Sequence, residues 1–319
     1  MSAIALPPTS VPRRRLAAGV LAAIVLAVFL AVGFLGVYRY ARGYWLYRGF
    51  PPPRDPSGVP VGTTERMSVR SAAIGGRAQE VDVYLPPGYD AAPTRRYPVF
   101  YLLHGFPGRP TGFLLALRAG VLEDVLIARH RIQPMILVMP FGSTSTFTDK
   151  EWANGIRPND AWATFVARDV VDAIDARYRT IATGAGRALG GLSEGGYGAL
   201  NIALHHPREF RVVESWSGYE RADNLKSIFG GNPLLLRRNS PLDELPSVAG
   251  VLRSSGTYVW LYSASDDRYL DQNIRFVREL RHERIRHTFL LIHGGHNFAV
   301  WRAEMRPALV AAATHVAHP

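Results

Sequence analysis

Six short runs, YPVFYLL (97–103), MILVMP (135–140), RALGGL (187–192), RVVESWS (211–217), TYVWLYS (257–263) and HTFLLI (287–292), are apolar almost throughout rather than at every second residue. A strand with one wet face alternates; a strand apolar on both faces is buried on both, which is the condition of a parallel sheet covered by helices on each side. Helical patterns lie between the runs: AWATFVARDVVDAIDARY, GYGALNIALHH, NIRFVRELRHE, and a last helix from about Phe298. This alternation predicts an α/β fold with a mostly parallel sheet. Ahead of it, ERMSVRS and AQEVDVYLPPGY do alternate, and are expected as two antiparallel opening strands. Residues 63–319 therefore read as one domain, with 218–255 breaking the pattern as a lid-like insertion over the carboxyl edge of the sheet.

The N-terminus is of another kind. After a short basic tail (1–15) ending in Arg13, Arg14 and Arg15, residues 16–37 carry no charge. Those 22 residues span roughly 33 Å as a helix, enough for a bilayer core. Tyr38, Tyr40, Tyr44, Trp45 and Tyr47 follow as an interfacial aromatic belt. Cleavable signals have apolar stretches of about 7–15 residues, so the expectation is an uncleaved transmembrane helix (16–38). A proline-rich stalk (39–62) comes next. The compact arginine cluster favours an inside N-terminus, although Arg39, Arg42 and Arg48 nearly balance it. The expected location is a single-pass cell membrane protein with its main domain extracytoplasmic.

Composition narrows the chemistry. With no cysteine among 319 residues, disulfides, thiolate ligands and a thiol nucleophile are excluded. The net charge of +11 comes almost wholly from dispersed arginine, Lys150 and Lys226 being the only lysines. Basic blocks with interleaved aromatics are missing, so nucleic acid is not an expected partner.

Ligands bind beyond the carboxyl ends of parallel strands, and the residues found there carry chemistry. After RALGGL comes Ser193 in GGLSEGGYGAL, where small neighbours permit the sharp strand-to-helix turn of a nucleophile elbow. After TYVWLYS come Asp266 and Asp267; after HTFLLI come His293 and His296. The order serine, acid, histidine is that of the α/β-hydrolases, in which histidine is general base to serine and a carboxylate orients it. YLLHGFPG puts His104, Gly105 and Phe106 after the first parallel strand. That loop supplies one oxyanion-hole amide, assigned to Phe106; the other is the amide of Glu194, next to the nucleophile. Asp149, Glu151, Trp152, Arg187 and Tyr197 stay open between bordering the pocket and simply packing.

From about Ser68 onward the chain resembles the esterase D and mycolyltransferase (antigen) family of α/β-hydrolases. The resemblance is carried by VDVYLPPGYD, YPVFYLLHG, WATFVARDVVDAIDARYRT, GLSEGGYGALNIALHHP and GGHNFAVWR. It implies ester hydrolysis, or acyl transfer to a sugar or lipid hydroxyl, through Ser193, an acidic residue and His296, without metal or organic cofactor. The family places an asparagine and an aromatic after its triad acid. With Asn273 and Phe276 in those positions the acid falls on Asp267, although Ala264 stands where the family has glycine, and Asp266 stays open. The expected substrate is an ester, of a lipid or glycan among others. A catalytically silent binding domain is the reading from another class.

Overall fold

The computed structural model describes residues 13–145 and 147–318, so residues 1–12 of the expected basic tail lie outside the described residues. The chain divides into two compact units, Met1–Pro51 and Pro52–Pro319. The first holds one helix, α1 (Arg13–Tyr47), which continues past the expected end of the span at Tyr38. Within it, Ala17–Tyr47 is a candidate membrane span with a mean hydropathy of 2.9, and it is exposed along its apolar length.

The second unit begins with β1 (Thr63–Ser71) and β2 (Arg77–Leu85), paired antiparallel as their alternation predicts. Then follow β3 (Val99–Leu103), α2 (Thr111–Leu115), α3 (Ala119–Ala128) and β4 (Ile136–Pro140). The expected helix after β4 forms as α4 (Trp162–Thr164), a π-helical stretch Phe165–Val170, and α5 (Val171–Arg177). Next come β5 (Arg187–Leu192), α6 (Glu194–His205) and β6 (Val212–Trp216). Three helices, α7 (Lys226–Phe229), α8 (Pro233–Arg238) and α9 (Pro241–Ser255), occupy residues 218–255. The chain ends with β7 (Tyr258–Ala264), α10 (Leu270–His282), β8 (Arg286–Ile292) and α11 (Phe298–His315).

The eight strands form one sheet in the order β1-β2-β4-β3-β5-β6-β7-β8. β2 pairs antiparallel with both β1 and β4, while β3 to β8 are parallel to one another throughout. Every residue of β3 to β7 is buried, whereas the edge strands β1 and β8 are partly wet. Successive side chains point to opposite faces, which puts Tyr101 and Leu189 in one core layer and Phe100 and Ala188 in the other. On the first face Trp162, Phe165, Ile174, Leu200, Leu245 and Phe276 cover the sheet. On the second, Phe113, Leu122, Leu126, Met305 and Leu309 do so. Each large apolar side chain enclosed this way contributes about 1.5–3 kcal/mol.

The segment expected as a lid-like insertion has two parts. Its last helix, α9, buries Leu245, Ala249 and Leu252 in the core beside α6 and α10. Ile228 and Phe229 of α7 instead join Tyr197, Tyr219 and Ala153 in a separate apolar cluster.

Candidate active site

Three strand exits, those of β5, β7 and β8, converge on one place. Ser193 stands between β5 and α6 with φ 55° and ψ −118°, a conformation few side chains adopt. Its amide donates to the Trp216 carbonyl at 2.9 Å, tying the turn to the neighbouring strand. The flanking glycines are steric necessities. A Cβ on Gly191 would lie 2.6 Å from the Gly195 carbonyl carbon, and one on Gly195 would lie 2.6 Å from the Leu103 carbonyl carbon. Backbone meets backbone here, so the turn closes only because both positions lack side chains.

The exits of β7 and β8 are pinned together by Ser265 N to Ile292 O and Asp266 N to Gly294 O, both 2.8 Å. That pinning brings the Asp267 carboxylate to the His296 ring: Oδ2 accepts from Nδ1 at 2.9 Å. Oδ1 accepts the Tyr269 amide at 2.9 Å. The Asp267 side chain is fully enclosed and that of His296 is 18% exposed. With Nδ1 donating to the carboxylate, Nε2 carries the lone pair, and it lies 2.8 Å from Ser193 Oγ. Burial alone would push the Asp267 carboxyl up, but the His296 and Tyr269 donors outweigh it and hold it below the ordinary carboxylate value. The imidazole is held edge-on by Trp301 (5.0 Å) and Tyr269 (5.5 Å). Asn297, the next residue, caps α11 by accepting the Ala299 and Val300 amides.

Asp266 and His293 are exposed, and Asp266 Oδ1 accepts from the Ser265 hydroxyl at 3.4 Å. The structure thus brings together Ser193, His296 and Asp267, and neither alternative.

The loop after β3 lies directly against the serine. A Cβ on Gly105 would approach Ser193 Cβ to 3.2 Å and Leu192 Cδ1 to 2.7 Å. Phe106 follows on the open side, 46% exposed. Glu194 is the first residue of α6, where a helix amide has no intrahelical acceptor. Its side chain turns inward instead: Glu194 Oε1 accepts the Glu151 amide at 3.0 Å, and Tyr219 donates its hydroxyl to the Glu151 carboxylate. Burial, with Asp149 and Glu151 close by, raises the Glu194 carboxyl well above its ordinary value, and burial raises Glu151 likewise. Carboxylate oxygens of Asp149, Glu151 and Glu194 gather within 4.8 Å, as do ligand atoms of the surface group Glu279, His282 and Glu283. The first cluster already has the Tyr219 hydroxyl and the Glu151 amide as partners.

His104 is no base. Fully buried, it is pushed down to about 4 by desolvation; its Nδ1 is 3.1 Å from the Gly105 carbonyl and its Nε2 accepts the Gly142 amide at 3.3 Å. Tyr269 and Tyr219, which back His296 and the acidic cluster, carry no distinguishing sequence pattern; only the position of Tyr269 two residues after the acid hints at it.

Residues 71–312 match the family model described as "Putative esterase". Over 138 residues the chain is 35% identical to an endo-1,4-beta-xylanase/feruloyl esterase of Xylanibacter ruminicola, covering 42% of this chain and 19% of that protein. It is 34% identical over 138 residues to Esterase Rv1288 of Mycobacterium tuberculosis, covering 43% and 28% respectively. The chain thus spans only a fifth to somewhat over a quarter of these curated relatives. A solved ferulic acid esterase superposes with a TM-score of 0.70 at 23% identity, covering 80% of this chain and 99% of that one. At that identity the likeness is one of fold.

Proposed function

The chain belongs to the esterase family of α/β-hydrolases, and on that premise we propose that it is a serine esterase acting on carboxylic esters from a membrane tether. The supporting observation is the hydrogen-bonded line Ser193–His296–Asp267, at 2.8 and 2.9 Å, with the serine on a strained elbow.

In this reading His296 Nε2 takes the Ser193 hydroxyl proton as Oγ bonds to the ester carbonyl carbon. The carbonyl π electrons move to oxygen, and the resulting oxyanion is held by the amides of Phe106 and Glu194. Collapse breaks the bond to the alcohol oxygen, which leaves with the proton from His296, and Ser193 stays acylated. Water then repeats the sequence and releases the acid. Asp267 stays ionised throughout, stabilising the imidazolium and holding its tautomer. Burial raises the Glu194 carboxyl above its ordinary value, which favours its uncharged form beside the forming oxyanion. The apolar helix α1 supports a tether, and the Arg13–Arg15 cluster supports an extracytoplasmic catalytic unit.

Ser193→Ala is expected to abolish turnover of a short p-nitrophenyl ester and all labelling by a fluorophosphonate, with the wild-type adduct mapping to Ser193 by peptide mass. An adduct on another serine, or turnover surviving the substitution, would overturn the assignment.

A further inference from the structure

Glu151 and Trp152 are consecutive residues with φ 53° and 51°. Neither is a residue type that takes the left-handed region readily, so the surrounding contacts must hold both there. Those contacts lead in one direction. The Glu151 amide is held by the Glu194 side chain and by Asp149 Oδ1, both at 3.0 Å. Trp152, wholly enclosed, lies so close to Gly198 that a Cβ there would be 2.5 Å from Trp152 Cβ and 2.9 Å from its ring Cγ. Its indole Nε1 donates to the His104 carbonyl at 2.9 Å. The His104 ring, 4.8 Å from the indole, accepts the Gly142 amide.

A continuous path of bonds therefore runs from the side chain of Glu194, through the strained pair, to a carbonyl two residues before Phe106. One end is Glu194 itself and the other lies two residues before Phe106, and the amides of Glu194 and Phe106 form the oxyanion hole in the esterase reading, on which this inference rests. We propose that Trp152 is a positioning residue: with Glu151, it is a strut that sets the place of the Phe106 amide relative to the Glu194 amide. The strut explains why the strain is tolerated. A single left-handed turn here directs the indole N–H at the loop after β3 while the preceding amide grips the start of α6. Trp152 touches no reacting atom. Its contribution appears only when the carbonyl oxygen becomes an oxyanion and needs both donors at once.

A ring that merely filled the core would affect folding alone; a strut affects the transition state selectively. Trp152→Phe keeps an aromatic filler and removes the indole donor. The acylation rate constant of Ser193 by a p-nitrophenyl ester is expected to fall about ten- to hundredfold, less than the loss on deleting an oxyanion donor outright. The affinity for a boronic acid, whose tetrahedral serine adduct occupies the same hole, should fall by a similar factor, with KM moving less than about threefold. Acylation within about threefold of wild type in a folded Trp152→Phe variant would overturn the proposal, as would equal losses in KM and rate. Should that variant not fold, Tyr219→Phe serves. It keeps the ring stacked on Tyr197 at 4.8 Å and removes only the hydroxyl donated to Glu151. It is expected to slow acylation about three- to tenfold, and an unchanged rate would overturn the strut. The two failures are distinguishable: a wild-type chain that fluorophosphonate leaves unlabelled at Ser193 would remove the esterase reading and the strut with it, whereas a labelled wild type with indifferent variants would remove the strut alone.

Discussion

Asp266 and Asp267 differ by one position and by everything that matters to a carboxylate. Asp267 is sealed from solvent, accepts from His296 and from the Tyr269 amide, and is held below the ordinary carboxylate value. Asp266 faces water. In the proposed esterase mechanism, replacing Asp267 by Asn leaves the shape, removes the charge that stabilises the imidazolium, and invites the wrong histidine tautomer. Asp267→Asn is therefore expected to lower kcat by about 10³–10⁴, while Asp266→Asn stays within about twofold of wild type, read by steady-state ester turnover. A comparable loss in both variants would show that the acid is shared or misassigned. The sequence puts the acid on Asp267 and leaves Asp266 open. Which of them turns inward depends on how the β7 exit is pinned to Gly294, a contact with a residue 28 positions later in the chain.

The elements divide into those their own residues announce and those they conceal. Strands β3 to β7 were readable because burial on both faces leaves an unbroken apolar run, and the elbow because only glycine fits where α6 meets Leu103. Helices α2 and α3 were not anticipated. The inward face of α3 carries Glu123 and Asp124, which interrupt the apolar period; Glu123 accepts the Met135 amide at 2.9 Å and Asp124 the Tyr84 hydroxyl at 2.5 Å. The long helix after β4 was anticipated as one piece, but its π-helical stretch at Phe165–Val170 was not, since the same residues suit either winding. The elbow makes a steric prediction. Gly195→Ala forces a methyl against backbone that cannot swing aside and is expected to cost about 1–3 kcal/mol or more of stability. Gly112→Ala on α2, with open space around it, is expected to be near neutral. Equal denaturation midpoints for Gly195→Ala and wild type would contradict the close approach.

At the scale of the molecule, the interior of the second unit holds buried acids. Glu123, Glu214 and Glu220 are fully enclosed, and desolvation raises each well above the ordinary carboxylate value. An acid with a raised folded value binds its proton more tightly folded than unfolded. Its contribution is complete below the unfolded value, near 4.3, and is lost as pH climbs toward the folded one. Asp267 works in the opposite sense, its contribution present above its unfolded value and lost on acidification. Glu214, whose carboxyl among the described residues accepts from the Trp216 indole at 2.9 Å and has no second partner, isolates the first effect. Glu214→Gln keeps an acceptor for that indole and removes the proton linkage. Its melting temperature relative to wild type is expected to rise progressively between pH 5 and pH 9 in thermal scans. A difference that stays constant over that range would mean Glu214 is not titrating with folding.

By itself the sequence determined the parallel core, the candidate span, the glycine-walled turn at Ser193 and the chain order of serine, acid and histidine. Each of these is written in neighbouring residues, as period, length or steric size. The tertiary structure decided the order of strands in the sheet, which aspartate meets His296, and the meeting of Trp152 with the His104 carbonyl. Those depend on which way a side chain points when segments 29 to 103 residues apart arrive together. No local pattern encodes that direction, because it is set by the packing of the whole sheet.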